Sequence, residues 1–263
     1  MKFESKADLT KWAVQSERLW LFLDYDGTLA DFAPTPEHIE PDPKIADLLG
    51  ELARRPGTRV VVLSGRRLAH VRRLLPVRGI MLAGSYGIEV LQENGETVNR
   101  LALTEVRPFL ESIKPQWAQL IDERRGFFLE DKGWALALHA RFAEDEEAAR
   151  IIGRALEIAT LQLTSDDFRI LGGHKFLEVA PRLASKREAL AYLLDRYPLP
   201  GARLLYIGDD DKDEEAFPLV HERDGAAVKV LQPSQLSQPT AADFYFYSPG
   251  ETLSWLRGLL RSD

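Results

Sequence analysis

The stretch Leu19-Trp20-Leu21-Phe22-Leu23-Asp24-Tyr25-Asp26-Gly27-Thr28-Leu29 decides how the rest of the chain is read. Five apolar residues in unbroken succession, too few for a helix and ended by a polar turn, have the pattern of a strand buried on both faces. Two carboxylates then stand two residues apart where that strand ends. Two other runs repeat the arrangement. Val60-Val61-Val62-Leu63 leads into Ser64-Gly65-Arg66, and Leu204-Leu205-Tyr206-Ile207 leads into Gly208-Asp209-Asp210-Asp211-Lys212-Asp213-Glu214. Helical spacing lies between them: residues 43–54 carry Ile45, Leu48, Leu49 and Leu52 on one face, and 68–75 and 185–194 have the same rhythm. This alternation predicts an α/β fold with a largely parallel sheet. Such sheets bind ligands beyond the carboxyl ends of their strands, so the three polar clusters are predicted to form one site.

The middle of the chain has a different rhythm. Residues 105–121 and 144–161 have helical patterns. Residues 126–131 and 134–140 read as a hairpin about Asp131-Lys132-Gly133, and 168–171 and 174–179 as a second about Gly172-Gly173. The expectation is a smaller α/β domain, residues 104–182, inserted between the core segments 1–103 and 183–263. Pro108 and Pro181 stand near its ends, where linkers are expected. Residues 230–240 read as a polar loop.

Bulk properties narrow the function classes. The 263 residues carry a net charge of −7, which argues against nucleic acid as a partner. There is no cysteine, so disulfides, thiolate catalysis and Cys-ligated metal are excluded. Residues 1–9 lack the pattern of a signal peptide, and no apolar run approaches a membrane span. The expected location is cytoplasmic, with no membrane partner.

The residue types suggest phosphate chemistry. Of the pair Asp24 and Asp26, one carboxylate can attack phosphorus and the other can protonate the leaving oxygen. A carboxylate approaching a phosphate dianion is repelled unless a divalent cation bridges them. All-oxygen donors suit Mg²⁺. A solvated Asp-x-Asp-Gly turn is the other reading. Ser64, beside a helix start, can donate to a phosphoryl oxygen or can simply cap the helix. Lys186 stands in a helix first turn, where a cation opposes the dipole; it suits a phosphoryl group there, or it is a solvated surface lysine. The carboxylates of 209–214 would repel one another without a cation, or form an exposed acidic turn.

Asp24-Tyr25-Asp26-Gly27-Thr28-Leu29 resembles the first motif of the haloacid dehalogenase superfamily of phosphatases. Ser64, Lys186 and 208–214 are similar to its second, third and fourth motifs, in the same order. The resemblance implies a Rossmann-like core with an inserted cap and a Mg²⁺ cofactor. It implies Asp24 as nucleophile, Asp26 as general acid and base, and Thr28 as a positioner. Ser64, Gly65 and Lys186 would bind phosphate. Asp209, Asp24 and the main-chain carbonyl of Asp26 would hold the metal, with Asp213 or Asp210 holding metal-bound water.

The segments 82–89, 135–139, 173–179 and 208–214 resemble trehalose-6-phosphate phosphatases in particular. That resemblance implies hydrolysis of trehalose 6-phosphate through an aspartyl phosphate, with a separate sugar-phosphate synthase as partner. It implies sugar contacts from Lys175 and Glu178, with Glu89 and His139 as further candidates. Three positions depart from the family pattern: Tyr86 stands where His is usual, Lys212 where Thr is usual, and Ala140-Arg141 where Tyr-Arg often follows the cap His. Sucrose phosphate or glucosyl-phosphoglycerate therefore stand as alternative substrates, and a phosphosugar mutase as an alternative activity. A non-catalytic sensor has no need of the nucleophile, so the intact Asp24 and Asp26 pair argues against it.

Overall fold

The computed structural model describes residues 2–32, 39–163, 165–173, 175–231 and 239–261. His174 and residues 232–238, most of the expected polar loop, lie outside them. The chain divides into two compact units, one from Met1–Val98 with Ser185–Asp263, the other from Asn99–Ala184. The first contains α1 (Lys6–Val14), β1 (Leu19–Leu23), α2 (Pro43–Arg54), β2 (Thr58–Leu63), α3 (Leu68–Leu74), β3 (Met81–Gly84), β4 (Glu89–Leu91) and the start of β5 (Thr97–Asn99). The second contains α4 (Leu103–Ile121), β6 (Phe128–Asp131), β7 (Leu136–His139), α5 (Asp145–Gln162), β8 (Phe168–Gly173) and β9 (Phe176–Pro181). The chain then returns to the first unit with α6 (Lys186–Arg196), β10 (Arg203–Gly208), α7 (Asp211–Glu214), α8 (Phe217–Glu222), β11 (Ala226–Val230), β12 (Phe244–Phe246) and α9 (Pro249–Leu259).

The first unit is an eight-stranded sheet in the order β12-β11-β10-β1-β2-β3-β4-β5. The ladders from β12 to β3 are parallel, and β4 runs antiparallel to β3. β1 is central and buried along its whole length, as its unbroken apolar run requires. Side chains alternate across a sheet. Leu19, Leu21 and Leu23 meet the apolar stripes of α1, α2, α3 and α9, while Trp20 and Phe22 meet those of α6 and α8. Register then aligns the strand ends. Leu23 pairs with Ile207 on one side and Val62 on the other. Asp24, the 208–214 segment and the Ser64 loop therefore leave the sheet at one edge.

The second unit is an antiparallel sheet, β6-β7-β9-β8, with α4 and α5 on one face. Trp117 Nε1 of α4 donates to the Ala155 carbonyl of α5 at 3.0 Å. Phe109 of α4 packs on Phe168 of β8 with centroids 4.3 Å apart. Two details differ from the sequence reading. Pro108 lies inside α4 rather than in a linker. Gly173 pairs with Phe176, so the second hairpin reverses after Gly173 rather than at Gly172-Gly173. Among the described residues, no helix is long and apolar enough to cross a membrane.

Asp131 ties β6 to α4. Its carboxylate accepts from Arg107 at 2.7 and 3.0 Å and from Lys114 at 2.7 Å, and it caps the hairpin at Gly133 N. The Arg107 hydrogen bond, helped by Lys114 and Gly133, holds its pKa well below the usual carboxylate range. A lowered folded pKa adds stability that is full above the unfolded pKa and fades as pH falls through the folded one. Asp131→Ala is expected to cost about 1–2 kcal/mol at neutral pH and nothing in strong acid. Thermal melts of both proteins from pH 7 down to pH 2 check this, the gap between them closing as the solution is acidified.

Candidate active site

The aligned strand ends bring one ammonium among several carboxylates. Lys186, the first residue of α6, donates from Nζ to Asp24 Oδ1 at 2.9 Å, Asp213 Oδ1 at 2.7 Å and Asp210 Oδ1 at 3.3 Å. Its side chain is 2% exposed. Burial alone would lower the pKa of Lys186; the surrounding carboxylates outweigh it and hold the ammonium charged far above the ordinary range. The alternative of a solvated surface lysine is removed by this burial.

Asp213 is the hub of the 208–214 turn. Its Oδ2 accepts from the backbone N–H groups of Asp209 and Asp210, at 3.0 and 3.1 Å. Its Oδ1 takes Lys186 and the buried Tyr206 hydroxyl, the latter at 2.7 Å. Both oxygens are spent, so Asp213 shapes the turn rather than offering a free donor. Asp210 Oδ1 accepts from the N–H groups of Lys212 and Asp213, each at 3.0 Å, and caps α7.

Asp24 and Asp209 are different. Burial pushes Asp24 up to about 8 against the pull of Lys186, with Asp209 and Asp210 adding repulsion. Burial and the charges of Asp213 and Asp210 push Asp209 up to about 8. Carboxylate oxygens of Asp24, Asp209 and Asp213 lie within 4.8 Å of one another. Hard, buried oxygen donors whose charges destabilise one another are what a small divalent cation relieves. In the same turn Thr28 Oγ1 is fully buried with no hydrogen-bond partner among the described residues, a further oxygen for a ligand. A Cβ on Gly27 would sit 2.3 Å from Asp209 Oδ2, so only glycine leaves this cradle open. The donor set fits Mg²⁺, with Asp24 and Asp209 best able to hold it.

Asp26 faces the second strand end. Arg66 donates to both of its oxygens, Nε to Oδ2 and Nη2 to Oδ1, each at 2.7 Å. Ser64 is buried, and its Oγ accepts from the Arg66 N–H at 3.2 Å, a loop-capping contact that leaves its hydroxyl proton to give. Tyr86 packs over this loop in a left-handed conformation (φ 52°, ψ 40°), and its N–H donates to the Ser64 carbonyl at 2.9 Å. A Cβ at Gly65 would fall 2.6 Å from the Tyr86 ring, so any larger residue there would have to displace Tyr86. Lys212 Nζ in turn donates to the Tyr86 hydroxyl at 2.5 Å. The two departures in the core thus form one pair that joins the Ser64 loop to α7.

A family model described as trehalose-phosphatase matches residues 22–249. The chain belongs to the trehalose-phosphatase family. By class it is a phosphoric monoester hydrolase. It is 32% identical over 231 residues to a probable trehalose-phosphate phosphatase of Sinorhizobium fredii, covering 88% of this chain and 82% of that one. It is 31% identical over 248 residues to a trehalose-phosphate phosphatase of Mycobacterium tuberculosis, covering 92% of this chain but 61% of that longer one. The C-terminal domain of the Candida albicans trehalose-6-phosphate phosphatase shares the fold, with a TM-score of 0.84 at 22% identity over 99% of this chain and 98% of that one.

Of the sugar contacts that the trehalose-phosphatase resemblance implied, Glu89 lies in the first unit and His139, Lys175 and Glu178 in the second. Glu89 belongs to the first unit, where Oε2 accepts from the Ser85 hydroxyl at 2.8 Å and from Leu68 N at the start of α3 at 3.1 Å. Lys175 follows β8, where its Nζ donates to the Ala143 carbonyl and pairs with Asp145, each at 2.6 Å. It steadies the start of α5. The lysine that meets Glu178 is Lys132 of the first hairpin turn, at 2.5 Å from Oε2. Glu178 itself is fully buried, and its Oε1 has no hydrogen-bond partner among the described residues. His139 Nε2 lies 3.0 Å from Glu130 Oε2. Sequence reasoning thus missed Arg66 and Lys132, although both stood in quoted motifs.

Lys186→Met would strand Asp24, Asp210 and Asp213 around an apolar chain. Removing one partner of a buried ionic cluster costs about 3–5 kcal/mol. The melting midpoint in EDTA is expected to fall by several degrees or more, and a midpoint equal to that of the unaltered chain would remove Lys186 from the role given to it.

Proposed function

We propose that this chain hydrolyses trehalose 6-phosphate to trehalose and inorganic phosphate through an aspartyl phosphate on Asp24. The observation that carries the reading is the buried Asp24 carboxylate, held by Lys186 beside Asp209, with Asp26 two residues away. An Asp24 oxygen attacks phosphorus as the bond from phosphorus to the sugar oxygen breaks, and Asp26 supplies the proton that oxygen needs. Asp26 then takes a proton from the water that attacks the aspartyl phosphate, returning Asp24 and releasing phosphate. Arg66 gives one hydrogen bond to each Asp26 oxygen, which orients the carboxyl and leaves each oxygen a lone pair for the proton. The Ser64 hydroxyl and the Lys186 ammonium steady the phosphoryl oxygens. Mg²⁺ held by Asp24 and Asp209 would offset the repulsion between carboxylate and phosphate.

On the sugar side, the reading draws on Glu178, Lys132 and Glu130 of the second unit. A buried carboxylate oxygen with no donor among the described residues suits a ligand hydroxyl, and a site built around hydroxyls rejects analogues that lack them. A second reading rests on the Lys212–Tyr86 pair, an added cation beside the Asp24 cluster. A phosphorylated glycoside bearing a carboxylate, such as glucosyl-phosphoglycerate, would use that charge.

Phosphate release with Mg²⁺ from trehalose 6-phosphate, sucrose 6-phosphate, glucose 6-phosphate and glucosyl-phosphoglycerate separates the readings. The expected result is an EDTA-sensitive preference for trehalose 6-phosphate; preference for the carboxylate-bearing glycoside would favour the second. Asp24→Asn is expected to lower turnover by roughly 10⁴-fold or more. Asp26→Ala is expected to lower it by about 10²–10⁴-fold. Normal turnover in Asp24→Asn would sink the aspartyl-phosphate mechanism.

A further inference from the structure

The loop that carries Ser64 is bound to the segment after β3. The Ser64 N–H donates to the Ala83 carbonyl at 2.9 Å, the Tyr86 N–H to the Ser64 carbonyl at 2.9 Å, and the Ser85 N–H to the Arg66 carbonyl at 2.7 Å. Residues 64–66 therefore cannot move without 83–86. That segment is itself strained: Ser85 and Tyr86 are successive non-glycine residues in the left-handed region, at φ 50° and 52°. Such a backbone persists only where its surroundings hold it. Ser85 is held by Glu89, which accepts from its hydroxyl at 2.8 Å. Tyr86 is held by its buried ring, which lies against Gly65 and ends on Lys212.

Lys212 has a fixed base as well. It belongs to α7, where its N–H and that of Asp213 are capped by Asp210 Oδ1. Asp213, its neighbour, gathers Lys186, Tyr206 and the N–H groups of 209 and 210. In the sheet order β10-β1-β2-β3, the strands that lead to Lys212 and Tyr86 lie three spacings apart, about 14 Å. Two long side chains meeting at their tips cross that distance. Lys212 Nζ reaches the Tyr86 hydroxyl at 2.5 Å and stands 4.7 Å from the ring centroid. The contact lies wholly within the first unit and spans the intervening β1 and β2, which lead to Asp24 and Ser64.

We infer that the Tyr86–Lys212 contact is a strut that sets the distance between the Ser64 hydroxyl and the Asp209 turn. Tyr86 and Lys212 are then positioning residues for phosphoryl transfer rather than contacts of the sugar. This rests on the phosphatase reading above, in which Ser64 steadies the phosphoryl oxygens and Asp209 helps to hold the cation. Both must meet one phosphoryl group as it passes to Asp24, and a misplacement of about 1 Å can cost about 10²-fold in rate. Losing the strut lets the left-handed segment relax and take Ser64 with it. The cost falls on chemistry common to every substrate, whereas a lysine that read a substrate carboxylate would matter for that substrate alone.

Tyr86→Phe, which keeps the ring and loses the hydroxyl, is compared with Lys212→Met, the double variant and Lys212→Arg. The full chain is assayed with Mg²⁺ on each of trehalose 6-phosphate, glucosyl-phosphoglycerate and p-nitrophenyl phosphate that the unaltered chain hydrolyses. Tyr86→Phe and Lys212→Met are each expected to lower kcat about tenfold on every such substrate, with KM within about twofold. The double variant is expected to fall no further than the less active single one, since both remove the same contact. Lys212→Arg, which can still donate to the hydroxyl, is expected to recover most of the rate. Losses that multiply, an unchanged kcat, or a loss confined to glucosyl-phosphoglycerate would overturn the inference. Amide hydrogen exchange in EDTA reads the strut without the reaction. Faster exchange at residues 64–68 and 84–88 in Lys212→Met supports it, and unchanged exchange there overturns it. Absence of turnover by the unaltered chain would count against the phosphatase reading alone, with the exchange still deciding the strut.

Discussion

Lys186 Nζ stands within 3.3 Å of oxygens from Asp24, Asp210 and Asp213, and nearly everything about the first unit's polar end follows from it. These carboxylates come from two strand ends, and at such separations in a water-poor setting they would drive those ends apart. The ammonium makes their convergence tolerable without cancelling it. Burial and neighbouring carboxylates still push Asp24 and Asp209 far above the ordinary carboxylate range, a repulsion that a cation would relieve. Asp213 converts the same attraction into shape, since its second oxygen gathers two backbone N–H groups of the turn.

The parallel ladder decides which residues can share this attraction. With Leu23 beside Ile207 and Val62, the residues that follow each strand emerge next to one another. Arg66 then reaches Asp26, and Tyr86 closes over Gly65 while its hydroxyl meets Lys212. The left-handed backbone at Tyr86 is tolerated because its N–H is bound to the Ser64 carbonyl and its ring fills the space a glycine leaves.

Much of this was readable from local pattern. The bounds of β1 and α2 coincide with an apolar run and an amphipathic stripe, because burial on two faces or on one stripe leaves a direct record in composition. The Asp24, Ser64 and 208–214 clusters were legible as strand ends for the same reason. Pairings between distant residues were not. Nothing in the chain near Arg66 indicates that it clamps Asp26 forty positions away. Likewise Lys175 and Lys132 both stand in hairpin turns, and only strand register decides which one meets Glu178. Glu89 lay in a family-like segment, yet its carboxylate is taken up by the start of α3. The edge strands β5 and β12, three residues each, are too short to leave a period.

The first unit is assembled from two segments, and its central strand pairs Leu19 with Arg203 across the entire second unit. During synthesis β1 has β2 early, but its other edge stays open until β10 has been made. The second unit, by contrast, is one continuous stretch whose hairpins and helices are all available once residue 184 has emerged. Chains built this way complete a central, buried ladder late, and long-range parallel pairing is slow because loop closure precedes its reward. The fold therefore sets a timetable in which an apolar strand edge waits, exposed to mispairing, for the arrival of the same segment that brings the acidic turn and its lysine.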